Sequence, residues 1–223
     1  MTSSSPQPSF PQALAITGQW LELWENGELS DEVLADRVAE LVVSRDGGRG
    51  FFAVSLAGDS PLLDRLPEPL VLALRAVGAP VVDLCLRNLA MSTAMALHHA
   101  RSGDPQQQAG SERVASRCTE LLRLLDPSQV KQRLETLWAA AKAGESSDSG
   151  SSAGDGCSES SSEASSEASS ERSGESSGNG ISNGQAASAA LSSIKEDQAF
   201  LQRWGYDAEQ RQAIASALEA VAE

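Results

Sequence analysis

The sequence predicts an all-α fold: an irregular helical bundle carrying a Ser-rich insert and ending in a C-terminal helical hairpin. Three observations support it. Apolar residues recur at helical spacing in most segments rich enough in them to fold. One stretch, Pro80 to Arg101, is apolar or small on every side of a helical wheel. Finally, the 40 residues from 145 to 184 contain 17 serines, with Cys157 and Ile181 as their only sizeable apolar side chains. Such a composition cannot bury enough surface to offset the entropy of ordering, so the insert reads as a disordered, Ser-rich linker.

Charge divides the chain in the same way. Of its 223 residues, 31 are acidic and 17 basic, for a net charge of −14. Residues 1–144 hold 17 acidic and 13 basic side chains, 145–184 hold 8 and 1, and 185–223 hold 6 and 3, so half of the net charge sits in the insert. An acidic chain repels nucleic acid phosphates and anionic lipid, which argues against nucleic acid as a partner. The three cysteines, Cys85, Cys118 and Cys157, are odd in number and unpaired in spacing, as suits a reducing compartment. The opening MTSSSPQPSFPQ has neither a basic leader nor an apolar run, so the chain is read as cytoplasmic.

Residues 1–11 read as a loose tail and 12–144 as the main helical domain. A first helix begins near Pro11, with Leu14, Thr17, Leu21 and Trp24 at helical spacing, and Asn26-Gly27 suits its C-terminal cap. Ser30 is a candidate N-cap for a second helix striped by Leu34, Val38, Leu41 and Val42. Asp46-Gly-Gly-Arg-Gly50 reads as a glycine-rich connector without the Lys-Ser/Thr ending of a phosphate-binding loop. Phe51 to Leu56 is a short apolar run whose periodicity fits helix or strand, and the lack of a partner strand favours helix. Ser60-Pro61 reads as a helix start. Glu68 to Val77 forms a short helix closed by Gly78. The Pro80 to Arg101 helix follows as the central post, with Met95 placed in its core. Asp83 and Arg87 interrupt it, and its apolar runs fall short of the roughly 20 residues that cross a bilayer.

Beyond Asp104-Pro105, QQQAGS reads as a polar connector. The next helix has the clearest amphipathic pattern in the chain, through Val114, Cys118, Leu121, Leu122 and Leu125. Arg113, Arg117 and Glu120 on its other face read as a solvated charge ladder. Asp126-Pro127-Ser128-Gln129 supplies an N-cap, a first-position proline and a capping-box Gln for a helix through Val130, Leu134, Leu137, Trp138 and Ala141. After a linker at 145–190, residues 191–223 form the C-terminal hairpin. Ile194, Phe200, Leu201 and Trp204 precede Gly205-Tyr206, Asp207 and Gln210 cap the second helix, and Ile214, Leu218 and Val221 stripe it. Two helices this short are marginal alone, so the pair should dock on the main domain or on a partner.

Chemistry is sparse. Cys85 and His99 share a helix face but lie 14 residues apart, roughly 21 Å, too far for one metal ion, and His98 and His99 diverge around the helix. No carboxylate pair, nucleophile elbow or cofactor fingerprint occurs, so neither a metal nor a cofactor is expected, no residue is assigned a catalytic role, and the sequence points away from an enzyme. Gly58-Asp59-Ser60 resembles the nucleophile block of GDSL hydrolases. That family's oxyanion Asn block and Asp-x-x-His pair are missing: three residues before His98 and His99 stand Met95 and Ala96. Trp204-Gly205-Tyr206 is similar to the Met-Gly-Phe/Tyr turn of ubiquitin-associated domains, but residues 191–223 supply only two of the three helices such domains need. Within the insert, Ser160 stands three before Glu163, a pattern that resembles acidophilic kinase sites.

The segments NLAMSTAMALHH, SGD and GSERVASRC, between Pro80 and Cys118, resemble a group of conserved, uncharacterised helical proteins of cyanobacteria. The resemblance covers residues 13–140 and implies a cytoplasmic setting without implying an activity or functional residues. By elimination the expected function is non-enzymatic: an interaction, assembly or adaptor protein with protein partners. Phe200, Trp204, Tyr206 and Ile214 of the tethered hairpin are the expected contacts, and homo-oligomers are compatible with it. The alternative is a small-ligand sensor or enzyme with a pocket near Asn88, Ser92 and His98 or His99. Asn88 and Ser92 are four apart on one face and, if buried, need partners.

Overall fold

A 24-residue helix, α5 (Ala79–Ser102), is the post against which the other elements pack. No residue from Val81 to Leu97 is exposed, as expected of a helix apolar on all sides. The computed structural model describes residues 7–143 and 183–222, so most of the Ser-rich insert lies outside the described residues. Among them there are nine α-helices and one 3-10 turn, and no strand.

In chain order, α1 (Phe10–Glu25), α2 (Asp31–Val42) and α3 (Arg45–Ala57) form one layer, with α4 (Glu68–Val77) packed on α2. α5 and α6 (Pro105–Leu124) form the central hairpin, which α3 meets from one side. α7 (Pro127–Ala143), α8 (Asn183–Arg203) and α9 (Ala208–Ala222) form the other side, with α7 and α9 on α5 and α8 on α7. No single helix among the described residues is long and apolar enough to cross a membrane. The α4 and α5 segments are together apolar enough but meet at 103°. The bend is at Gly78, whose φ of 75° lies in the left-handed region.

Helix ends follow their local signals. The Gln12 side chain accepts the Ser9 backbone N–H at 2.9 Å, so α1 begins at Phe10. Gly27 turns the chain with φ 74°, and Ser30 caps α2 by accepting the Val33 N–H at 3.4 Å. Trp24 Nε1 donates to Asp31 at 2.7 Å across that turn. Asp126 caps α7 by accepting the Gln129 N–H at 2.9 Å. Asp207 and Gln210 form a reciprocal capping box at 2.8 and 3.1 Å.

Several segments depart from the sequence reading. Phe51 to Leu56 is helical, and α3 begins earlier than expected, at Arg45, so the glycine-rich segment is helix rather than connector. Tertiary packing overrides the poor helix propensity of glycine here. A Cβ on Gly50 would stand 2.4 Å from the Ala13 Cβ of α1, and one on Gly48 would stand 2.8 Å from Leu84 of α5. These glycines let α3 approach two neighbours closely. The polar run QQQAGS is the start of α6, capped by Asp104, whose carboxylate accepts the Gln107 N–H at 3.1 Å. Ser60-Pro61 opens only a single 3-10 turn, Pro61–Leu63. Met95 is half-buried rather than core, and α8 begins at Asn183, within the stretch read as linker.

The largest departure is Arg117. Instead of joining a solvated ladder, it is 5 % exposed. Its Nε and Nη2 donate to the two Asp64 carboxylate oxygens at 2.8 and 2.7 Å. Nη1 donates to the carbonyls of Ser55, Leu56 and Gly58 at 3.2, 2.9 and 2.8 Å, and Nη2 to that of Ser60 at 3.1 Å. The guanidinium thus satisfies carbonyls at the C-terminal end of α3, where a cation also complements the helix dipole. The bonds from Arg117 hold the Asp64 carboxyl below its ordinary pKa, against a smaller opposing effect of burial. Glu120 pairs instead with Arg123 at 3.0 Å, and Arg113 with Asp59 at 3.1 Å.

Gly50→Ala should destabilise by about 1 to 3 kcal/mol through overpacking, whereas Gly110→Ala, with open space around it in α6, should stabilise by about 0.5 to 1 kcal/mol. Urea unfolding of both variants checks the opposite signs. Arg117→Met should cost about 3 to 5 kcal/mol because Asp64 and several carbonyls lose their donor. Asp64→Asn should also destabilise at pH 7. Because the folded pKa of Asp64 is the lowered one, its stabilisation is present at neutral pH and is lost as pH falls through that value. The gap between wild type and Asp64→Asn should therefore close below about pH 4, as followed by thermal melts across pH.

Candidate functional site

The C-terminal pair α8–α9 lies on α5 and α7, and a partly buried charge network centred on Asp197 joins it to them. Asp197 of α8 is wholly buried. Its oxygens accept from Arg133 of α7 at 2.5 and 2.6 Å and from Arg87 of α5 at 3.2 Å. Asp83 of α5 accepts from the same two arginines, at 2.7 Å from Arg133 Nε and at 3.0 and 3.1 Å from Arg87 Nε. Two carboxylates and two guanidinia balance in charge, the condition under which buried ions are tolerated. Burial works against the Arg133 charge, but the bonds to Asp197 and the nearby Asp83 outweigh it and hold its pKa above the ordinary value. At the far end of α5, Arg101 pairs with Asp207 at 2.5 Å and with Glu209. Trp138 Nε1 donates to Glu219 at 2.9 Å, tying α7 to α9.

The four residues expected to contact a partner divide accordingly. Ile214 and Tyr206 belong to the core, with Ile214 fully enclosed. Burial pushes the Tyr206 hydroxyl up to about 12, and that hydroxyl is buried without a hydrogen-bond partner. Phe200 is half-buried, with the Arg87 guanidinium 4.9 Å from its ring centroid. These three are occupied in holding the pair to the body, because its apolar stripe gains more from burial there than from facing water. Trp204, at the turn between α8 and α9, is 53 % exposed.

The expected ligand contacts are satisfied within their own helix. Asn88 Nδ2 donates to the Leu84 carbonyl at 2.8 Å, and Ser92 Oγ donates to those of Asn88 and Leu89 at 2.7 and 3.1 Å. His98 is exposed and His99 half-buried, with ring centroids 5.5 Å apart. Cys85 and Cys118 are free and buried. Burial raises the Cys85 thiol well above its ordinary value and pushes Cys118 up to about 12, so both stay protonated at neutral pH. Cys157 and Ser160 lie outside the described residues. No set of three or more His, Cys, Asp or Glu side chains arranged to hold a metal occurs among the described residues. Ser60 accepts the Leu62 N–H at 3.5 Å as the cap of its 3-10 turn. A shallow groove of about 260 Å³ runs between α1 and the end of α3, bordered by the Gly58-Asp59-Ser60 segment.

Residues 9–150 and 182–221 match a family described as uncharacterised conserved protein UCP020893. The chain belongs to that family. The match spans α1 to α7 and resumes at α8, so the C-terminal pair falls within it while 151–181, the greater part of the Ser-rich stretch, does not. No curated protein and no solved structure matches the chain.

Sequence reasoning missed Asp197 and Arg117, yet each left a trace. Asp197 stands three after Ile194 and four before Leu201, on the apolar stripe of α8. Arg117 stands three after Val114 and four before Leu121 in α6. A charge on an apolar face calls for a buried partner. If the network seats the C-terminal pair, Asp197→Ala should cost about 3 to 5 kcal/mol, because it removes the fully buried carboxylate that Arg133 and Arg87 share and leaves both guanidinia to Asp83 alone. Hydrogen exchange should then speed up in α8 and α9 before it does in α5.

Proposed function

We propose that this protein is a non-enzymatic interaction or adaptor protein whose C-terminal helical pair presents Trp204 to a protein partner. The reading rests on one contrast. Along the α8–α9 turn, Leu201 and Tyr206 are buried, whereas Trp204 between them remains 53 % exposed. Tryptophan supplies a large rigid contact at low entropic cost and is enriched among residues that dominate interface energy. Its neighbours fix the turn, so this anchor is already oriented before a partner arrives, which lowers the cost of binding. Leu191 of α8 is 61 % exposed and adds apolar surface to the pair. A cytoplasmic setting in cyanobacteria, implied by the sequence resemblance, is part of the same proposal.

Affinity capture from native lysate with wild-type and Trp204→Ala chains tests the reading. Specific partners should be retained by the wild type and lost in the variant, while the melting temperature changes by no more than about 2 °C, since an exposed side chain contributes little to the core. The same partners on both forms would overturn the assignment of Trp204. A metabolite that co-purifies with both forms and is lost in Asn88→Ala, with no partner protein on either, would replace the adaptor with a ligand sensor.

A further inference from the structure

We infer that the groove between α1 and the end of α3 receives lysine or arginine side chains from a basic segment of a partner protein. The groove lies on the α1–α3 side of the central hairpin, whereas Trp204 belongs to the pair on the other side, so this surface is separate from the one above. Its floor is apolar: Leu21 is buried, Val54 half-buried, and Gly18 has open space where a side chain would stand. Its rim is acidic, with Glu22 and Glu25 one turn apart on α1 and Asp59 on the loop after α3 bordering the same groove.

Size and charge together select the occupant. At about 260 Å³ the groove is smaller than the roughly 300 to 1,000 Å³ typical of small-molecule sites, so it suits one or two side chains rather than a whole metabolite. Lysine and arginine lay an aliphatic stem along apolar surface and hold a cation at its edge, which matches an apolar floor with carboxylates at the rim. Glu22 and Glu25 form no ion pair among the described residues. The third rim carboxylate, Asp59, already accepts a guanidinium, that of Arg113 at 3.1 Å. The net charge of −14 attracts a cationic partner at long range, and the groove gives it a defined seat.

The probe is a capped tetra-arginine peptide, with capped tetra-citrulline as its neutral isostere, titrated into the isotopically labelled full chain at about 50 mM salt, where screening is modest. Amide shifts are expected at Leu21, Glu22 and Asp59 with the arginine peptide and not with citrulline. In Glu22→Gln/Glu25→Gln, whose melting temperature should match the wild type, affinity should fall about 3- to 10-fold, the effect of removing two exposed carboxylates. Shifts confined to residues 145–184 would show that the acidic insert alone attracts the peptide and would overturn the inference. An unchanged affinity in the double variant, or equal binding of citrulline, would overturn it as well.

Discussion

Arg117 spends its guanidinium on the end of another helix, and the layering of the fold turns on that contact. Its five N–H groups reach six acceptors, four of them carbonyls between Ser55 and Ser60. Without it those carbonyls, two of them in fully buried contacts, would lose their donor. The clasp joins the central hairpin to α3, and α3 in turn carries α1 and α2. Glycines at the helix contacts allow that arrangement to close, because a Cβ at position 48 or 50 would hold α3 away from its neighbours.

The opposite side is held by different means. There the Asp83, Arg87, Arg133 and Asp197 network accompanies an apolar seam containing Leu201, Ile214 and Leu218. Apolar burial supplies adhesion without direction, whereas bidentate contacts between guanidinium and carboxylate fix angle and register. The combination gives α8 and α9 one defined seat on α5 and α7.

Much of this was legible in the sequence. The α5 post followed from apolar character on every side, and α6 and α7 from their stripes and, for α7, its Asp-Pro cap. The same Asp-Pro signal occurs at Asp104-Pro105, but the polarity of QQQAGS masked it. The glycine-rich start of α3 was opaque for a deeper reason: propensity is local, and the close approach of α1 and α5 that overrides it is not. Arg117 and Asp197 were hidden because their partners come from distant segments and, for Arg117, are largely backbone oxygens, which no side-chain pattern encodes. The candidate surfaces were legible only in part. Of the residues grouped as partner contacts, Trp204 is exposed while Tyr206 and Ile214 are buried, because spacing cannot tell an apolar residue facing solvent from one facing the chain's own body.

The separation between Arg117 and the carbonyls it serves, 57 to 62 positions along the chain, has a consequence for synthesis. At about 5 to 20 residues per second, the ribosome adds the stretch from α3 to Arg117 over roughly 3 to 12 s. Throughout that interval the last turn of α3 has emerging chain ahead of it and no guanidinium to close it. The nascent N-terminal helices must therefore wait in a provisional arrangement, with their exposed carbonyls served by water, until a residue made much later locks them.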